Sequence, residues 1–173
     1  VTVAPSIQVL ELTQKQKRPG RFLTNPLIVG NPVMPKVTVT LGEPAEPLAS
    51  LPGAEQESRA IGVLLQAQPL IGQAATKAAV VQAMPQAGLI HLATHGLLDD
   101  FRGMGVPGAI ALAPTAKDDG ILTASEILNL KLQADLVVLS ACDTGRGQIT
   151  GDGVIGLSRS LISAGAPTVV VSL

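Results

Sequence analysis

Continuous apolar runs separated by helix-period segments constrain this chain more than any other feature. Leu136-Val137-Val138-Leu139 and Val169-Val170-Val171 show no polar alternation, and Leu89-Ile90-His91-Leu92-Ala93 is broken by one histidine. A strand with one wet face alternates. A strand that is apolar throughout has to be covered on both faces, as in a parallel sheet enclosed by helices. Strands are read at 27–29, 69–72, 88–94, 135–140 and 169–171, and 109–113 is a further apolar stretch. A helix is predicted over 54–66, where Glu55 and Glu57 suit a first turn and Ile61, Leu64 and Leu65 recur at helical spacing. Others are predicted over 74–84, ended by Pro85, and over 153–164. Thr123-Ala124-Ser125-Glu126 fits a capping box that opens a short helix to about Leu130. Pro32, Pro35, Pro44 and Pro47 make 31–52 an irregular connection. The expected class is α/β with a mostly parallel central sheet.

Composition narrows the function. With 173 residues the chain fits a single domain, 1–173, with a real core. It has two Phe, no Trp and no Tyr, so aliphatic side chains build that core and the aromatic platforms of single-strand nucleic-acid binders are missing. A net charge of -1 gives no basic footprint for duplex DNA. One cysteine and two histidines offer neither an internal disulfide nor a thiolate zinc site. No metal or cofactor is expected, and no run reaches the length of a membrane span. The first ten residues lack the pattern of a signal peptide, and a reducing, cytoplasmic setting is expected. The chain opens without Met and stops inside an apparent core strand, so it reads as a piece of something longer that lacks its C-terminal end.

The chemistry-bearing residues converge on two segments, His91-Leu92-Ala93-Thr94-His95-Gly96 and Leu139-Ser140-Ala141-Cys142-Asp143-Thr144-Gly145. Both histidines and the cysteine lie in them. His95 and Cys142 each stand where an apolar strand gives way to small residues, the carboxyl edge at which open α/β sheets display reactive groups. A thiol and an imidazole there can act as nucleophile and acid–base partner, against the ordinary alternative of a buried cysteine. His91, flanked by Ile90 and Leu92, reads as a hydrogen-bonded core histidine. The amides of Gly96 and Cys142 are candidates for an oxyanion hole. Asp99, Asp100, Asp143 and Asp152 are either solvated loop carboxylates or a pocket for a basic substrate side chain. Asp143 and Asp152 are the pocket candidates, and Arg146 leaves the pocket's polarity open. Gly151-Asp152-Gly153-Val154-Ile155-Gly156 matches a dinucleotide fingerprint but starts about ten residues after its strand, so a nucleotide-binding domain is the weakest reading.

At these residues the chain resembles the CHAT domain, a bacterial caspase-like module often joined to tetratricopeptide repeats. HLATHG at 91–96 and LSACDTG at 139–145 look like that family's two signature segments, and GDGVIGLSRSLISAGAPTVVVSL at 151–173 like the stretch that follows. LIVGNP at 27–32, LPGAEQE at 51–57 and DDGILTASEIL at 118–128 are weaker echoes. The resemblance implies a caspase–haemoglobinase three-layer sandwich. It implies a cysteine endopeptidase with Cys142 as nucleophile, His95 as its partner and Gly96 in the oxyanion hole. It also implies a polypeptide substrate and an adjoining repeat domain or regulatory partner. A catalytically idle, caspase-like interaction module is the alternative.

Overall fold

The computed structural model describes residues 11, 13–15, 23–38, 44–97, 108–140 and 151–172. In chain order these form β1 (Leu27–Pro32), β2 (Lys36–Val37), β3 (Glu46–Pro47), α1 (Pro52–Leu65), β4 (Leu70–Gly72) and α2 (Lys77–Ala83). A 3-10 turn (Met84–Gln86), β5 (Leu89–Ala93), β6 (Gly96–Leu97), β7 (Ala109–Ala111) and β8 (Ile121–Thr123) follow. The series ends with α3 (Ala124–Leu128), β9 (Leu136–Leu139), α4 (Gly151–Ala164) and β10 (Val169–Val171).

Five strands make one parallel sheet in the order β10-β9-β5-β1-β4. The register aligns Val29 with Leu92 and Leu92 with Leu139, so alternate residues of three strands share a face. Leu27, Val29, Ile90, Leu92, Val137 and Leu139 are buried on one face with Val80, Met84, Ile127, Leu157 and Leu161 from the helical segments. The opposite face carries Gly30 and His91 and is covered by α1, whose Ser58 and Glu57 reach them. Helices on both faces of a parallel sheet give the three-layer architecture that the uninterrupted apolar strands require.

Close approach of α1 to β1 depends on one glycine. A Cβ at Gly30 would run into Ser58 Oγ and the Ala54 carbonyl. Ser58 is fully buried and donates from Oγ to the Val29 carbonyl at 3.1 Å, so its hydroxyl stays satisfied in the interface. Pro52 opens α1 at a position where a helix has no use for its amide hydrogen.

Some expectations shift. The helix expected over 54–66 starts at Pro52, so Glu55 lies in its first turn while Glu57 belongs to the second. The helix expected over 74–84 begins at Lys77, because the Thr76 hydroxyl caps it by accepting from Ala79 N. Within 31–52 a two-strand ladder forms, Lys36 opposite Pro47 and Val37 opposite Glu46. The apolar stretch at 109–113 joins a separate antiparallel sheet, β6-β7-β8, instead of the central one. Residues 151–156 all lie within α4. The glycine pattern there does not form the strand-to-helix turn that a dinucleotide fingerprint needs.

Candidate functional site

The two motif strands are neighbours. β5 and β9 run parallel, with His91 opposite Val138 and Leu92 opposite Leu139. The Ser140 amide donates to the Leu92 carbonyl at 2.9 Å, continuing the ladder just past the end of β9. His95 follows β5 at the carboxyl edge of the sheet and is buried.

Three contacts fix the His95 backbone and ring. The Thr94 hydroxyl donates to the Ala111 carbonyl at 2.7 Å. The Ala111 amide donates to the His95 carbonyl at 2.9 Å. The ring's Nε2 lies 2.8 Å from the Ala49 carbonyl. A carbonyl can only accept, so Nε2 carries the proton, and in the neutral ring the lone pair sits on Nδ1. A buried imidazole held in this tautomer is oriented as an acid–base group has to be.

Gly96 begins β6 opposite Ile110. Because His95 and Ala111 form the hydrogen-bonded pair beside it, Gly96 and Ile110 form the alternate, non-hydrogen-bonded pair. The Gly96 amide is therefore aimed away from β7. Gly96 is itself buried.

Ala49 is placed by the turn into α1. Asn31, at the end of β1, adopts a left-handed conformation with φ 42°, which asparagine tolerates better than most residues. Its Oδ1 accepts from the Leu51 amide at 2.7 Å and the Ser50 hydroxyl at 3.2 Å, while its Nδ2 donates to Glu55 Oε2 at 3.2 Å. Glu55 also accepts from Arg59 at 2.8 Å. Its hydrogen bonds to Arg59 and then Asn31 hold its carboxyl below the ordinary glutamate range, against a weaker opposing desolvation.

Below the edge lies a second polar group, centred on Glu57 of α1. Its Oε2 accepts from the Ser140 hydroxyl at 3.1 Å. Its Oε1 lies 3.1 Å from His91 Nε2, but off the line a hydrogen bond needs, so that buried nitrogen has no hydrogen-bond partner. Burial pushes His91 below the ordinary histidine value, and the nearby Glu57 carboxylate offsets part of that push. His91 is thus a core histidine beside a carboxylate.

Of the residues singled out in the sequence, His95 and Gly96 stand at this edge and His91 lies below it in β5. Cys142, Asp143, Arg146, Asp99 and Asp100 lie outside the described residues, and Asp152 is placed only as part of α4. Ala49, Glu57 and Ser140 emerge as site residues from the structure. Glu57 and Ser140 belong to segments that carried the resemblance, but Ala49 acts through its backbone, which leaves no mark on residue type. Among the described residues no cluster of His, Cys, Asp and Glu could hold a metal ion, and no helix is long and apolar enough to cross a membrane.

The family model described as the CHAT domain matches residues 1–173. Tetratricopeptide repeat protein 28 of Homo sapiens is 31% identical over 208 residues, an alignment covering 98% of this chain and 8% of that protein. Its Mus musculus counterpart is 32% identical over 179 residues, covering 84% of this chain and 7% of that protein. The chain therefore spans under a tenth of the length of these mammalian relatives.

Proposed function

The chain belongs to the CHAT domain family, and from that premise we propose that it is a caspase-like cysteine endopeptidase acting through Cys142 and His95. The observation that carries the reading is the β5–β9 register. Leu92 and Leu139 are paired, and His95 and Cys142 each follow their strand's paired leucine by the same number of residues. Support also comes from the Ala49 carbonyl, which fixes the His95 tautomer.

In this mechanism His95 Nδ1 takes the thiol proton and Cys142 Sγ attacks the scissile carbonyl carbon. The amides of Gly96 and Cys142 donate to the oxyanion that forms. The imidazolium then gives its proton to the leaving amine as the C–N bond breaks, leaving an acyl-enzyme on sulfur. A water molecule, deprotonated by His95, attacks the acyl carbon. It releases the carboxylic acid and restores the thiol. Asp143 and Asp152 are the candidates for a pocket that receives a basic side chain before the cut. A reducing compartment such as the cytoplasm keeps the sole thiol available.

The names of the mammalian relatives favour one further element, an adjoining tetratricopeptide-repeat region that controls access to the site or presents a partner. In a second reading the domain is idle and serves that repeat region as an interaction module. Profiling of new termini in a proteome-derived peptide library separates the two. Cleavage after a recurring residue, lost in Cys142→Ala, is the expected result. Identical termini with both proteins would overturn the peptidase reading.

A further inference from the structure

Both strands that lead into the proposed dyad are touched by one carboxylate. Ser140 stands two residues before Cys142, and His91 four before His95. Glu57 accepts from the Ser140 hydroxyl with one oxygen and abuts the His91 ring with the other. The helix that carries Glu57 is entered from Ala49, whose carbonyl holds His95. Ser58, the next residue along, anchors that helix to β1. The start of α1 is thus a common reference for the base and for the strand end that precedes the nucleophile.

We propose that Glu57 is a positioning residue that, by holding Ser140 at the end of β9, tunes the reactivity of Cys142 two residues on. This rests on the dyad reading above. The physical reason is that ladder bonds hold the backbone of the strand end, while a side-chain bond ties it to the helix layer above the sheet. At that strand end the Ser140 amide bonds the Leu92 carbonyl of β5 and the Leu139 carbonyl accepts from the Ser172 amide beyond β10, both of them backbone bonds. A side-chain hydrogen bond to a helix already locked on the sheet supplies a further fixed point. Thiol-to-imidazole distance governs how far the imidazole raises the thiolate fraction, so small displacements matter. The carboxylate is 40% exposed, so it is available to Ser140 without the full cost of a buried charge.

The test uses the single cysteine, whose alkylation by iodoacetamide reports one site without ambiguity. The rate of Cys142 alkylation is followed against pH in the unaltered chain and in His95→Ala, Glu57→Ala, Glu57→Gln and Ser140→Ala. In His95→Ala the curve is expected to move up toward that of an unassisted thiol, about 8.5. Glu57→Ala should move it the same way, lowering the rate at neutral pH about ten-fold, which is about one pH unit of thiolate fraction. Glu57→Gln keeps an oxygen that accepts from Ser140, and it should stay within about two-fold of the unaltered chain. Ser140→Ala should shift the curve in the same direction as Glu57→Ala, by less.

A Glu57→Ala curve that coincides with the unaltered one, while His95→Ala shifts, would overturn the positioning role and leave the dyad standing. Equal shifts in Glu57→Ala and Glu57→Gln would also overturn it, because they would assign the effect to charge instead of geometry. An unshifted His95→Ala would remove the dyad and the positioning role together. If Glu57→Ala does not fold, Ser140→Ala decides, and an unmoved curve there counts against the proposal.

Discussion

Glu57 and Glu126 each gather partners from elsewhere in the fold, but in opposite ways. Glu126 closes a capping box. Its Oε2 accepts from the Thr123 amide and hydroxyl, both at 2.9 Å, while the Thr123 hydroxyl accepts from the Glu126 amide at 3.2 Å. Its Oε1 pairs with Lys77 at 2.6 Å, and Lys77 also donates to the Ile121 carbonyl at 2.8 Å. Among the described residues Glu57 has one hydrogen bond, from a residue 83 positions away, and beside it stands a histidine nitrogen that makes none. The core of the first group, the Thr123–Glu126 box, is local and reciprocal, as expected of a device that starts a helix. The second is long-range and leaves the buried His91 Nε2 without a hydrogen bond, the pattern that polar groups show where function outranks stability.

Breaking the long-range group at its foundation has the largest effect. Gly30→Val drives a side chain into Ser58 and the Ala54 carbonyl, so α1 has to lift from β1. Urea unfolding should show a loss of about 3 kcal/mol, the upper end for overpacking. The thiol reactivity of Cys142 should fall with it, since Ala49 and Glu57 ride on the same segment. Removing the local group is milder. Thr123→Ala should cost about 1 kcal/mol in the same measurement. It should leave the pH curve of Cys142 alkylation where it was, and a shift would erase the distinction between the two groups.

The smallest effect is in pH dependence. His91 has its folded value below the ordinary 6.5, so the unfolded chain binds the proton more readily than the folded one. Its contribution is complete above 6.5 and is lost as pH falls below it. For Glu126, burial raises the carboxyl. Lys77 and Thr123 outweigh that and hold it below the ordinary 4.5, so its contribution is lost only in acid below that point. Melting temperature against pH should therefore decline in two separated steps. His91→Gln should remove the one nearer neutrality and Glu126→Gln the more acidic one. A single step that both substitutions alter equally would show that the groups are not independent.

The same contrast explains what could be read from the sequence. The Thr123–Glu126 box is visible because its partners are three residues apart and of diagnostic type. The central sheet is visible because strands apolar on both faces admit few other fates, and the position of His95 follows from where its run stops. The β6-β7-β8 sheet was missed because Gly96–Leu97 is too short to show a period and Ala109–Ala111 reads the same in any buried strand. The Ala49 carbonyl is backbone chemistry, invisible in a list of residue types. Glu57 was read as a helix-start charge, since nothing local links it to Ser140.

The most direct test of the central claim is intact-protein mass spectrometry after exposure to a peptide-based electrophile that mimics the acyl-enzyme. The account predicts one adduct on Cys142, formed by the unaltered chain and strongly slowed in His95→Ala. Equal labelling of both proteins, or an adduct elsewhere while Cys142 stays unmodified, would contradict it.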